Sequence, residues 1–174
     1  MEVAIVGSAA LSSDQRDAVV ALCTEAYEEP FAAYLADIGS GVHLLGTVNG
    51  ALVSHLMWVP RTLYVDHDRA LRAAYVEAVA TLPSEQGKGY ATQLMRAVPA
   101  LIASFDLGAL SPSDEAWYTR IGWEMWRGPL SVRESGSAVE TPDEEVMILR
   151  LPGTPAGLSV HAPLACDWRP GEVW

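Results

Sequence analysis

Lysine is almost missing from this chain. Among 174 residues a single one, Lys88, stands beside ten arginines, and the basic residues face twice as many acidic ones for a net charge of −11. Such a surface repels phosphate backbones and anionic lipid, so neither nucleic acid nor a membrane is an expected partner, and a cationic ligand is favoured. Cysteine is scarce as well. Cys23 and Cys166 are too few and too far apart for a disulfide framework, which points to buried thiols in a reducing cytoplasm. No apolar run is long enough to span a bilayer, and the first ten residues lack the basic start of a signal peptide. The four histidines, His43, His55, His67 and His161, show no ligand spacing such as H-E-x-x-H, so no metal is expected. No Ser-His-Asp or Cys-His arrangement stands out either.

What the chain has in quantity is hydrophobic residues, half of the total, spread along its length. With no internal repeat and no low-complexity linker, residues 1–174 read as one domain with a sizeable core. Residues 2–6 read as a strand. Ser12-Ser13-Asp14-Gln15 has the form of a capping box, and Val19, Leu22, Cys23, Ala26 and Tyr27 then recur at helical spacing. Pro30 interrupts, and residues 31–38 predict a second short helix ending at Gly39. Residues 42–48 and 51–60, joined by Asn49-Gly50, predict a hairpin through a type I′ turn. A turn at Asp66-His67-Asp68 leads to a long strand over residues 69–81. A loop to Lys88 follows, then a helix over residues 89–105. Its apolar stripe is Ala91, Leu94, Met95, Val98, Leu101, Ile102 and Phe105, with Pro99 off the stripe and expected to bend it. Residues 107–111 read as a buried strand, 114–121 as a short helix stopped by Gly122, and the remainder, with Met147, Leu149 and Leu151 alternating, as further strands and irregular tail. The strand–helix–strand passage from residue 69 to 111 is a crossover, so its two strands should be parallel. The class is α/β, a central mixed sheet flanked by helices.

The segment Gln86-Gly87-Lys88-Gly89-Tyr90-Ala91 follows a strand and opens a helix. The first amides of a helix have no internal partners, and the helix dipole places partial positive charge there. Glycines at 87 and 89 let the backbone approach a diphosphate, and Lys88 adds a cation, with Arg96 farther along the helix. The spacing is neither G-x-x-x-x-G-K-[ST] nor G-x-G-x-x-G, so neither a nucleoside-triphosphate loop nor a dinucleotide fingerprint is present.

Gln86-x-x-Gly89-x-Ala91 in this place resembles the acetyl-CoA pyrophosphate motif of the GCN5-related N-acetyltransferases, and the element order resembles theirs. More narrowly, the chain is similar to the aminoglycoside 2′-N-acetyltransferases. The residues that carry this are Ala74-Tyr75-Val76-Glu77, Leu107-Gly108-Ala109-Leu110-Ser111, Tyr118 ahead of Gly122-Trp123, Thr141-Pro142-Asp143, and Cys166-Asp167-Trp168-Arg169-Pro170-Gly171-Glu172-Val173-Trp174. The resemblance runs from about residue 39 onward, and the last block is its most specific part. It implies the GCN5-related N-acetyltransferase fold, acetyl-CoA as co-substrate, an aminoglycoside as the cationic acceptor with antibiotic resistance as the outcome, and a homodimer.

Two residues stand out as catalytic. Glu77 lies mid-strand in the apolar run 73–80, where a carboxylate is costly to bury unless paired or used. Strand alternation places it on the face opposite Val76 and Ala78. Its chemistry suits a general base, acting directly or through water, and the resemblance points to the same residue. Tyr118, by resemblance, protonates the departing thiolate; from its position alone it reads equally as core. By resemblance again, Val79, Ala80 and Thr81 pair with the pantetheine as if it were another strand, and the amides of residues 86–91 take the diphosphate. Substrate contacts are expected at Glu29, Asp37, Glu77, Ala78, Ser111, Glu144, Glu172 and Trp174, including the terminal carboxylate, with Trp168 and Trp174 docking the tail. Pro30 stands where the family pattern has an aspartate, so acceptor preference need not follow the family norm. Two other readings compete: acetylation of another polyamine or peptide amine by the same fold, and a non-catalytic module that holds CoA or the antibiotic. A docked tail disfavours a peptide groove. A base paired with an acid disfavours mere binding.

Overall fold

The computed structural model describes residues 1–134 and 137–174. The chain divides into two compact units, Met1–Val59 with Val76–Val98 and Pro60–Tyr75 with Pro99–Trp174. Two long strands, β3 (Ala51–Val65) and β4 (Arg69–Thr81), each contribute one half to either unit, which is why neither unit is continuous in sequence.

In the first unit β1 (Glu2–Gly7) pairs antiparallel with β2 (Val42–Val48), and β2 with β3. The hairpin forms as expected: Val48 faces Ala51, and Asn49 and Gly50 both take positive φ, 51° and 81°. Helix α1 (Ser13–Tyr27) opens on a complete capping box. Ser12 Oγ accepts from the Gln15 amide at 3.2 Å and Gln15 Oε1 accepts from the Ser12 amide at 3.0 Å, an arrangement that stabilises by about 1 kcal/mol. Val19, Leu22 and Cys23 face the core. Helix α2 (Ala32–Ile38) is short and ends at Gly39 with φ of 86°. Helix α3 (Tyr90–Leu101) buries Leu94, Met95 and Val98 and stops four residues before the expected end. Pro99 has no N–H to offer the carbonyl of Met95, so the last turn is weak, and a turn closed by the Phe105 amide on Ile102 O takes over. Leu101 is correspondingly exposed.

This unit also buries a line of polar groups. His43 and His55 are 5% and 0% exposed, with His43 Nδ1 2.9 Å from His55 Nε2, His55 Nδ1 2.9 Å from the Ala78 carbonyl, and His43 Nε2 2.9 Å from Ser8 Oγ. Burial lowers the pKa of His55 to about 3, with the neighbouring His43 pushing the same way, and burial lowers that of His43 with help from Arg16. A folded-state pKa below the unfolded value means that stability is present above pH 6.5 and is lost as pH falls toward 3. His55 alone is therefore expected to cost about 2 kcal/mol of unfolding free energy between pH 7 and pH 5, measurable by urea titration at the two values. An unchanged midpoint would show the ring to be solvated.

In the second unit the strand order is β6 (Glu124–Met125), β9 (Met147–Arg150), β5 (Leu107–Leu110), β4, β3, β10 (Leu164–Asp167), β7 (Leu130–Glu134), β8 (Ser137–Glu140). The crossover strands are parallel as expected, with Ala73, Ala74 and Tyr75 of β4 opposite Leu107, Gly108 and Ala109 of β5. The tail is more regular than its sequence suggests. β10 lies between β3 and β7, antiparallel to one and parallel to the other, an insertion that depends on pairing over some hundred residues and leaves no local pattern. Helix α4 (Glu115–Arg120) is capped by Asp114, whose carboxylate accepts from the Trp117 amide at 2.9 Å. Cys23 and Cys166 are free and buried. Among the described residues no helix is long and apolar enough to cross a membrane, and no group of three or more acidic, histidine or cysteine side chains is placed to hold a metal.

Candidate active site

The loop after β4 has the backbone form of an anion-binding turn. A single 3-10 turn, Pro83–Glu85, leads to Gln86, whose side-chain amide donates back to the Thr81 carbonyl at 3.3 Å. Gly87 and Gly89 then take φ of 75° and 81°, and α3 begins at Tyr90, its first bond running from the Gln93 amide to Gly89 O at 3.0 Å. A methyl at either glycine would meet nothing within 4 Å. Backbone conformation, not crowding, calls for glycine here. Among the described residues no acceptor takes the amides of residues 87–91, so a cluster of N–H groups at a helix start is free for a ligand. Lys88 contributes less than its solitary occurrence suggests. Its ammonium lies 2.8 Å from the Glu85 carboxylate, which raises its pKa and offsets its charge.

Upstream, in the same unit, lies Glu77. It is 6% exposed and accepts a hydrogen bond from Tyr34 Oη at 3.0 Å. Residues 73–78 are all buried, so both faces of the strand are covered here, and within this run Ala78 takes the left-handed region with φ of 51°. From there on every carbonyl has a side-chain donor: His55 Nδ1 on Ala78 O, Tyr27 Oη on Val79 O at 3.1 Å, Ser54 Oγ on Ala80 O at 3.0 Å, and Gln86 on Thr81 O. Four side chains from three segments thus hold a stretch of irregular backbone in a single course. Of the expected substrate contacts in this unit, Ala78 is buried beside Glu77, whereas Glu29 is solvent-exposed just after α1 and Asp37 is solvent-exposed on α2.

The second unit holds the remainder. Tyr118 is buried on α4, edge-on to Trp117 and Trp123, and burial pushes its phenol up to about 12, with the Ser113 side chain opposing. It stays protonated at any ordinary pH and so has a proton to give. Ser111, Glu144 and Glu172 are exposed. Trp174 is docked as expected, 3% exposed with its indole N–H on Thr141 Oγ1 at 2.9 Å. Trp168 is not. It is 51% exposed, so a single tryptophan anchors the tail. The second fastening is one the sequence did not suggest: Arg61, whose guanidinium donates to Val173 O at 2.6 Å and Asp167 O at 3.3 Å while lying 4.7 Å from the centre of the Tyr75 ring. Tyr27, Tyr34, His55 and Arg61 have no motif spacing to the residues they hold, from 23 to 112 positions away. Folding alone reveals them.

A strand, a glycine loop with free amides, and a helix beginning at Tyr90 lie within a region, residues 10–126, that matches the acetyltransferase (GNAT) domain family. The chain belongs to that family. It is 37% identical to the aminoglycoside 2′-N-acetyltransferase of Mycolicibacterium fortuitum over 98% of its own length and 90% of that protein's. Among solved structures it resembles a GNAT family N-acetyltransferase from Escherichia coli in complex with CoA, with a TM-score of 0.67, 17% identity, and coverage of 95% of this chain and 90% of that one. The ribosomal-protein-S18-alanine N-acetyltransferase of Escherichia coli has a TM-score of 0.57 at 14% identity, covering 91% and 99%. These structural likenesses establish the fold: a GCN5-related N-acetyltransferase with a mixed sheet flanked by helices. The chain is an acetyltransferase.

Proposed function

We propose that this acetyltransferase moves the acetyl group of acetyl-CoA onto an amine, the 2′ amine, of aminoglycoside antibiotics and so confers resistance. The observation that carries the acceptor is the similarity to the Mycolicibacterium fortuitum enzyme along nearly the whole chain. The donor is supported independently by the free amides of residues 87–91 and the two left-handed glycines.

In this reading residues 79–81 align the pantetheine and residues 86–91 hold the diphosphate, mainly by backbone amides. The amine nitrogen attacks the thioester carbonyl, forming the C–N bond as the C–S bond breaks. Glu77 takes the proton that the amine must lose, directly or through one water, and its charge draws the ammonium form of the acceptor. Tyr118 supplies the proton for the thiolate. Because its pKa lies above that of a free thiol, about 8.5, the transfer is uphill in isolation and assists a leaving group that can also depart as thiolate. Glu29, Asp37, Ser111, Glu144, Glu172 and Trp174 contact the sugar rings, and a net charge of −11 steers a polycation to them. The docked Trp174 favours a small acceptor over a peptide. The enzyme is taken to work in the cytoplasm as a homodimer of one acetyltransferase domain per chain, without a metal.

Thiol release from acetyl-CoA, followed across aminoglycosides with and without a 2′ amine, tests this reading. Turnover is expected only where the 2′ amine is present. No turnover on any of them would overturn the acceptor; equal turnover on those lacking it would overturn the position.

A further inference from the structure

The buried histidines of the first unit have no part in the transfer described above, yet their geometry is directional. A carbonyl oxygen only accepts, so the 2.9 Å contact with Ala78 O places a hydrogen on His55 Nδ1. The ring is fully buried and neutral, which leaves Nε2 bare to accept from His43 Nδ1–H at 2.9 Å. His43 Nε2 is then bare in turn and accepts from Ser8 Oγ–H at 2.9 Å, while the Gly41 amide donates to Ser8 Oγ at 2.9 Å. Ser8 Oγ also lies 3.0 Å from Gly41 O, but with His43 neutral its one hydrogen serves the ring. Every hydrogen in the line points toward Ala78. The line ends on a backbone carbonyl, which cannot pass a proton on, so it is a mechanical fastening and not a proton relay.

What it fastens is the one left-handed residue inside a strand of this chain's candidate site. Ala78, at φ of 51°, is flanked by Glu77 and by the edge of residues 79–81. An alanine resists that conformation and a glycine does not, so something must hold it. We propose that His55, set by His43 and Ser8, is a positioning residue for acetyl transfer: it pins the Ala78 carbonyl and thereby aims Glu77 on one side and the pantetheine-pairing edge on the other. The inference rests on the acetyl-transfer reading and deepens it.

His55→Leu removes the donor. It is expected to lower kcat on an accepted aminoglycoside at least tenfold and to weaken acetyl-CoA binding, measured by calorimetry, at least fivefold. His55→Asn places an amide N–H where Nδ1 lies and is expected to stay within threefold of the parent on both. Ala78→Gly added to His55→Leu is expected to recover most of the loss, because glycine takes the kink unaided; a cavity in the core would not respond to it. Parent-like values in His55→Leu, or a loss that Ala78→Gly leaves untouched, would overturn the proposal. Should His55→Leu not fold, the unaltered protein decides by nitrogen NMR of its ring atoms, where a hydrogen on His55 Nε2 in place of Nδ1 would overturn it. If no aminoglycoside is turned over, the acceptor assignment fails, while acetyl-CoA affinity and the ring hydrogens still judge this one.

Discussion

Glu77→Gln is expected to lower kcat about a hundredfold at pH 7 and by less than tenfold at pH 9.5. General-base assistance contributes on the order of a hundredfold to ten-thousandfold, and the carboxylate to provide it is 6% exposed, in a stretch of backbone held by four side chains. Glutamine keeps the volume and can still accept from Tyr34 Oη, so the fold and acetyl-CoA affinity should hold. At high pH the acceptor arrives already neutral and needs a base less, which is why the deficit should shrink. Initial rates of thiol release across that range make the measurement. A rate unchanged at pH 7 would remove Glu77 from the mechanism, and a deficit of constant size would show that it acts on neither the proton nor the charge of the acceptor amine.

Trp174→Ala should destabilise the protein by about 3 kcal/mol, the low end for emptying a buried tryptophan site. The loss is capped, because a tail that has lost its anchor can leave its seat at the cost of docking alone. It would give up the indole bond to Thr141 Oγ1 and put strain on the two Arg61 bonds that remain. The urea midpoint should fall, and chymotrypsin should cut faster after the already exposed Trp168. If the tail also lines the acceptor site, KM for the aminoglycoside should rise while KM for acetyl-CoA stays within twofold. An unchanged midpoint and cleavage rate would mean that the tail is not held by this residue. A parallel rise in both KM values would deny it a role specific to the acceptor.

Much of the local structure was legible because it rests on short-range chemistry. The capping box at Ser12 and Gln15, the Asn49-Gly50 turn, the left-handed glycines at 87 and 89, and the parallel crossover all depend on residues within reach of one another along the chain. Where expectation and structure part, a long-range or strained element intervenes. The left-handed Ala78 beside Glu77 is one such element, and no alanine advertises that conformation in a sequence. Helix α3 ends at Leu101, short of its apolar stripe, where a turn closed by the Phe105 amide on Ile102 O takes over. Lys88 pairs with Glu85, three residues away, a contact that its solitary occurrence did not suggest. Trp168 was expected to dock on grounds of size alone, but size does not say which of two tryptophans finds a seat.

By itself, then, the sequence determined the form of the glycine loop, the acidic character of the chain, the order of elements through α4 and the identity of the candidate base. Each follows from residue type, from periodicity or from spacing of a few positions. Only the tertiary structure decided how that base is held. The Ser8–His43–His55 line, the hydroxyls of Tyr27, Tyr34 and Ser54, and the Arg61 clasp on the tail join residues that lie 12 to 112 positions apart. The physical reason is that a hydrogen bond needs two groups within about 3 Å, and chain separation on that scale says nothing of distance until the strands have paired.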